Sequence, residues 1–247
     1  MTLSTIAPVE TFQDAFEPLS TIVNECKLRF DEDGLSARAC DPANVAMCDV
    51  SLPERAFETY EADGGVIGVN LDRLQDVLSM GSSGDLAKVE LNEETRKLHI
   101  EIGELSYTLA LIDPDSIRKE PDIPDLDLPA DVAFEGSELS RAVTAADLVG
   151  DHVSLSAEPD EQEFTVSAQG DTDDVEVVLG NDELATADVG ESAESLFSLD
   201  YLKDMARPIG SDVIVSFKLG SEMPVKFRYT NGEASVEHLL APRIESS

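Results

Sequence analysis

The sequence predicts an α+β protein of two tandem, similar domains, each with two short helices packed on a mainly antiparallel sheet. Three observations predict it. A helical motif recurs 128 residues on, Leu71-Asp72-Arg73-Leu74-Gln75-Asp76 against Leu199-Asp200-Tyr201-Leu202-Lys203-Asp204, both L-D-x-L-x-D. A second pair of amphipathic stretches lies at nearly the same offset, in the same order. Short strand-like runs fill the rest of each half, with a proline-rich stretch between them. Two ordered pairs at one spacing argue for internal duplication.

In chain order, Phe12, Ala15, Phe16 and Leu19 form one helical stripe, the spacing of a buried helix face. Pro18 inside that stretch lacks an amide donor and is expected to kink or end the helix. Cys26 to Phe30, Leu35 to Ala39 and Val66 to Val69 read as strands. Asn70 is the expected cap of a helix opening at Leu71. Ala87 to Leu91, Leu98 to Ile102 and Tyr107 to Ile112 close the first half as strands. Asp113 to Asp131 carries Pro114, Pro121, Pro124 and Pro129, a density that favours an extended connector. In the second half, Leu139, Ala142, Val143 and Ala146 repeat the first stripe, followed by strands at Val153 to Ser156, Phe164 to Ala168 and Val175 to Leu179. Ser198 is the expected cap of the helix at Leu199, and strands follow at Val213 to Leu219, Val225 to Tyr229 and Ala234 to Leu239. The domains are accordingly drawn at residues 1–117 and 132–247, with the connector at 118–131.

Charge sets the physical setting. Seventeen Lys and Arg stand against 52 Asp and Glu, a net charge of −35. Such self-repulsion opposes a compact fold in dilute buffer. It largely vanishes at about 1 M salt, where the Debye length is about 3 Å. The acid is spread along the chain rather than gathered in a block, and 42% of residues are apolar, so the composition reads as a folded protein adapted to concentrated salt. No run of about 18 apolar residues suggests a membrane span, and the first ten residues lack the pattern of a signal peptide. A cytoplasmic, nucleoid-associated location is expected. Cys26, Cys40 and Cys48 fit no metal spacing and read as small buried thiols.

Catalysis finds little support. His99, His152 and His238 are far apart without metal-ligand spacing. Neither a P-loop nor a G-x-S-x-G or H-E-x-x-H motif occurs. Gly64-Gly65-Val66-Ile67-Gly68 precedes a strand rather than opening a helix, so a turn is expected. No enzyme activity, metal or cofactor is expected beyond bulk K+ or Na+.

Several segments resemble the proliferating cell nuclear antigen sliding clamps of eukaryotes and archaea. They are Leu19-Ser-Thr-Ile-Val-Asn-Glu-Cys26, Asp41-Pro-Ala-Asn-Val-Ala-Met47, Gly68-Val-Asn-Leu71, Asp125-Leu-Asp-Leu-Pro129 and Leu239-Leu-Ala-Pro-Arg-Ile244. The resemblance covers nearly the whole chain in order. It implies the DNA clamp fold, with three copies closed into a pseudo-six-fold trimeric ring whose helices line the hole. It also implies a non-enzymatic processivity factor that encircles double-stranded DNA without reading sequence. By this resemblance, DNA polymerase, clamp loader, flap endonuclease and DNA ligase dock through short PIP-type peptides carrying paired aromatic residues. The matching groove positions are Cys40, Asn44, Val45, Met47, Leu126, Leu128, Pro129, Pro224, Leu239, Leu240, Ala241 and Pro242. Trimer contacts would pair an edge strand at Tyr107, Leu109 and Leu111 with one at Val175, Val177 and Leu179 of the next copy.

The expected DNA-facing cations are Arg73, Arg141, Lys203 and Arg207. Asp14, Glu17, Asp72, Asp76, Asp147, Asp200 and Asp204 stand among them on the same helices. The family carries more lysines there, whereas the first helix here holds Gln13, Asp14 and Ser20. Cations from solution are therefore expected to bridge acid faces and phosphates. Charge alone suggests a different class, an acidic adaptor or chaperone that binds basic proteins and releases them as salt rises.

Overall fold

The computed structural model describes residues 2–123 and 126–243. The chain divides into two compact units. One comprises Met1–Cys40, Cys48–Pro121 and Asn231–Val236; the other comprises Asp41–Met47, Asp122–Thr230 and Glu237–Ser247.

The first half of the chain runs β1 (Leu3–Pro8), α1 (Val9–Ser20), β2 (Glu25–Asp31), β3 (Gly34–Cys40), β4 (Ala46–Pro53), β5 (Thr59–Ala62), β6 (Gly65–Asn70), α2 (Leu71–Leu78), β7 (Leu86–Asn92), β8 (Lys97–Ile102) and β9 (Leu105–Ala110). The second half repeats this order with β10 (Ala130–Glu135), α3 (Gly136–Ala146), β11 (His152–Glu158), β12 (Glu163–Gln169), β13 (Asp174–Leu179), β14 (Leu184–Val189), β15 (Ala193–Ser198), α4 (Leu199–Ala206), β16 (Ile214–Leu219), β17 (Val225–Asn231) and β18 (Ala234–Leu240). In the first half the hydrogen-bonded orders are β5-β1-β7-β8-β9 and β4-β3-β2-β6; in the second they are β14-β10-β16-β17-β18 and β13-β12-β11-β15. Among the described residues, each half thus holds nine strands and two helices, one five-strand and one four-strand set.

Duplication reaches the loop bonds. The first amide of α1 donates to the Asp85 carbonyl at 2.8 Å, and that of α3 to the Val213 carbonyl at 2.8 Å. The amides opening α2 and α4 likewise donate to Asn24 and Asp151, at 2.8 and 3.0 Å. Each bond satisfies a donor that a helix start would otherwise leave open. Asn70 caps α2 as expected, its side chain accepting from the Arg73 amide at 2.9 Å. Ser198 holds the equivalent position before α4, but its side chain makes no cap bond. Pro18 does not break α1; it falls in the last turn, and the helix ends two residues later. Pro114 opens a single 3-10 turn, Pro114–Ser116, inside the stretch expected to be extended.

Each unit buries its own core. Strands alternate buried and half-buried residues, as in β12, where Phe164, Val166 and Ala168 face inward. That is the period-2 pattern of a sheet with one covered face. In the second unit Phe134 lies between Phe164 and Phe217, with centroids 5.4 and 5.2 Å away, and Phe217 stacks on Phe227 at 4.8 Å. Burying one such ring contributes about 1.5–3 kcal/mol. In the first unit Phe12 packs against Phe16 and Phe57. Cys26, Cys40 and Cys48 are buried thiols outside any disulfide, as expected. Gly64 and Gly65 form the turn into β6, both at positive φ.

Candidate functional site

The Asp41–Met47 loop is built around one carboxylate. Asp41 accepts from the amides of Ala43, Val45 and Ala46 at 2.9, 2.6 and 2.8 Å, and from the Tyr201 hydroxyl at 2.8 Å. Its own amide donates to the Ala46 carbonyl, which closes the loop and lets Asn44 take a positive φ of 59°. Burial works to raise the carboxyl pKa, but these donors outweigh it and hold the group below its ordinary value. The fixed loop presents Val45, whose carbonyl accepts from the Ala241 amide at 2.8 Å. The loop and the tail are thereby tied together.

The predicted groove residues separate into surface and buried positions. Asn44 is exposed, and Val45, Leu126, Leu128, Pro129, Pro224, Ala241 and Pro242 are half-buried. Cys40, Met47, Leu239 and Leu240 are buried rather than on the surface. Leu128 sits over the Gly220–Pro224 turn: a Cβ built on Gly220 would meet Leu128 Cδ2 at 3.1 Å and Met223 Sδ at 2.9 Å. Buried Ser195 fixes that turn, donating to the Gly220 carbonyl and accepting from the Met223 amide. Pro129 is held by the Gly190 amide at 3.0 Å. The half-buried side chains are mostly apolar, the kind of surface that takes an apolar peptide. His238 is fully buried between Phe227 and Tyr229, and burial pushes its pKa down to about 3. It is a neutral core residue, not a catalytic one.

Two sheet edges carry the residues predicted to join copies. The β9 strand ends the five-strand set of the first half, and β13 ends the four-strand set of the second. Of the other end strands, β6 is bonded by the Ile112 amide at Gly68 and β15 by the Arg243 amide at Leu196, while β5 and β14 end the remaining sides. Tyr107, Leu111, Val175 and Val177 are half-buried, whereas Leu109 and Leu179 turn into their own cores. Leu111 lies beyond the end of β9, which spans Leu105–Ala110.

The four helix cations are exposed, and three of them are engaged. Arg141 pairs with Glu138, Lys203 with Asp147, and Arg207 with Asp204 at 3.9 Å. Arg73 makes no ion pair among the described residues. On α1, Asp14 has its carboxyl pKa raised, first by burial and then by the charges of Glu10 and Glu17. Uncompensated acid therefore marks the polar side of α1.

Residues 7–115 match the family described as proliferating cell nuclear antigen, N-terminal domain. A DNA polymerase sliding clamp of Natronomonas pharaonis is 55% identical over 98% of both chains, and that of Halobacterium salinarum 54% identical over 98% of both. The chain belongs to the proliferating cell nuclear antigen family of DNA polymerase sliding clamps. Among solved clamps, the structure of the C-terminal region of FEN-1 bound to A. fulgidus PCNA aligns with a TM-score of 0.93 and 38% identity, over 99% of this chain and 100% of that one. The acid-rich composition agrees with its relatives in halophilic archaea.

Sequence reasoning missed three supports of this clamp's groove: Asp41 and Tyr201, which shape the loop, and Ser195, which fixes the turn under Leu128. A signal was present for Asp41, because Asp-Pro-x-Asn is a turn sequence in which Asp bonds its own downstream amides. Nothing local marks Tyr201, which lies 160 residues away in sequence.

Proposed function

We propose that three copies of this chain close into a ring around duplex DNA and tether replication and repair proteins to it, without catalysing a reaction. The observation that carries the reading is that β9 and β13 end sheets in different halves of a duplicated chain, each with its outer side open among the described residues. Edge strands invite pairing with another chain, and a head-to-tail contact between unlike edges either closes into a ring or propagates. Near-full-length likeness to named sliding clamps supports closure.

The tethering mechanism is topological. A ring that cannot leave the duplex without opening keeps its partner at high effective concentration on the template. Sliding requires phosphate contacts that are blind to sequence. With Arg141, Lys203 and Arg207 paired to acids, direct contact falls chiefly to Arg73. Bulk K+ or Na+ bridges the remaining acid faces to phosphate. The half-buried apolar surface of Val45, Leu126, Leu128, Pro224, Ala241 and Pro242 receives a partner's helical turn bearing paired aromatics. That mode supports polymerase, clamp loader, flap endonuclease and DNA ligase as partners. The setting is the cytoplasm, at the nucleoid.

The test is retention on DNA. Loaded by its clamp loader on nicked circular DNA in concentrated KCl, the protein stays bound through gel filtration and is lost once the circle is cut. Equal retention on cut and uncut circles would refute encirclement.

A further inference from the structure

After β9 the chain lies against β6 and then, at the start of the connector, against β2. The Ile112 amide donates to the Gly68 carbonyl at 2.8 Å. Any side chain at residue 68 would collide with this segment: a Cβ there would stand 2.6 Å from the Ile112 carbonyl oxygen and 2.7 Å from Ile117 Cδ1. Gly68 faces Lys27 across the β2–β6 ladder. Further along, Glu120 comes back to the same strand. Its Oε2 accepts from Arg29 Nη2 at 2.9 Å and lies 4.0 Å from Lys27 Nζ.

The placement of Glu120 is costly for an ordinary surface acid. The side chains of Lys27 and Glu120 are only 14% and 11% exposed, the most buried ion pair among the described residues. The second oxygen of Glu120 is buried without a hydrogen-bond partner. Two of the chain's 17 cations serve this one carboxylate. Exposed pairs are screened in molar salt, whereas a buried pair is screened far less. The connector's far end is also held, by Gly190 on Pro129 and by the Gly220 turn under Leu128. Leu126 follows Glu120 by six residues.

The second half repeats the exit bond on a strand that lacks these cations. The Arg243 amide bonds Leu196 at 2.7 Å, repeating the bond of Ile112 to Gly68. The positions on β11 that match Lys27 and Arg29 are Ser154 and Ser156. The cations belong to the half whose outgoing segment becomes the connector.

We propose that Glu120 is a positioning residue for partner binding: its ion pair with Arg29 and Lys27 anchors the start of the connector, so that the chain leading to Leu126 leaves from a fixed point even in molar salt. This rests on the groove reading above. Fixing the start of a tether removes conformational freedom that a peptide would otherwise have to freeze.

The test compares intact wild-type protein with E120Q, R29M and R29K in molar KCl. It measures affinity for a fluorescent peptide bearing a Gln and paired aromatic residues, together with amide exchange at Ile112. The Arg243 amide serves as an internal control. E120Q and R29M are expected to weaken peptide binding about tenfold and to speed exchange at Ile112 but not at Arg243. R29K, which keeps the charge, stays within about twofold of wild type. Should E120Q not fold, R29M alters a side chain 38% exposed and carries the same comparison. Wild-type binding that both variants leave unchanged would overturn the positioning role, and unaltered Ile112 exchange would overturn the anchor itself. A wild type that binds no peptide would instead overturn the groove, and this role with it.

Discussion

Asp41→Ala tests the groove's foundation, because one carboxylate there holds four donors. Asp41 is 3% exposed, so truncation leaves a space in which water can rescue only part of the loss. The Ala43 amide is at an exposed turn and rehydrates. The Ala46 amide is buried and remains unsatisfied, and the part-buried Tyr201 hydroxyl loses this acceptor. At about 1–3 kcal/mol for each unsatisfied donor, and with the charge-assisted bonds lost, the expected destabilisation is about 3–5 kcal/mol. Asp41→Asn keeps the shape but turns one acceptor into a donor, and about half that loss is expected. Urea unfolding at constant KCl and fixed protein concentration measures it, the concentration being held because assembly adds stability. The folded pKa of Asp41 is depressed, so its contribution is fully present above the unfolded value near 3.9 and is lost as pH falls through the folded value. The gap between wild type and Asp41→Ala therefore narrows below about pH 4. A loss under about 1 kcal/mol at neutral pH, or a gap that persists in acid, would refute the assigned bonds.

Other outcomes follow from the same geometry. Leu126→Ala with Leu128→Ala abolishes partner stimulation while leaving assembly intact; unchanged peptide affinity by fluorescence anisotropy would contradict the groove. Arg73→Gln lowers DNA retention several-fold more than Arg141→Gln, since only the latter cation is already paired to an acid; equal effects in a filter-binding assay would show that the pairs open on DNA. If bulk cations bridge helix acids to phosphate, retention holds or rises across increasing KCl, and a steep monotonic fall would show direct contacts instead. Val177→Asp on β13 places a charge on an open edge and yields lone chains by light scattering, whereas a retained assembly would move the interface elsewhere.

The duplicated plan was legible because helix stripes and sheet alternation are local. The repeat of Leu71 and Leu199 marks α2 and α4 to the residue. Strands such as β12 and β16 bury alternate residues and announce themselves. Other strands were silent for physical reasons. The β4 strand buries three successive residues, Ala46, Met47 and Cys48, and so lacks alternation. The β5 and β14 edges carry mostly polar or small residues, TYEA and LATADV. The β1 strand, LSTIAP, mixes Ser4, Thr5 and Ala7 among its apolar residues and runs directly into α1 through Pro8. Ser198 makes no cap bond, although α2 and α4 both have their first amide held by a loop carbonyl, so that shared bond does not explain the difference. The groove residues came from resemblance rather than from period, and sequence alone could not sort surface Val45 from buried Leu240. Asp41 and Tyr201 escaped because their bond joins segments far apart in the chain.

Ring closure is tested most directly by light scattering joined to small-angle X-ray scattering in concentrated KCl. Three times the chain mass of 26.6 kDa, with a scattering profile that requires a central opening, is the predicted result. A mass of one or two chains, or a solid particle of any mass, would contradict it.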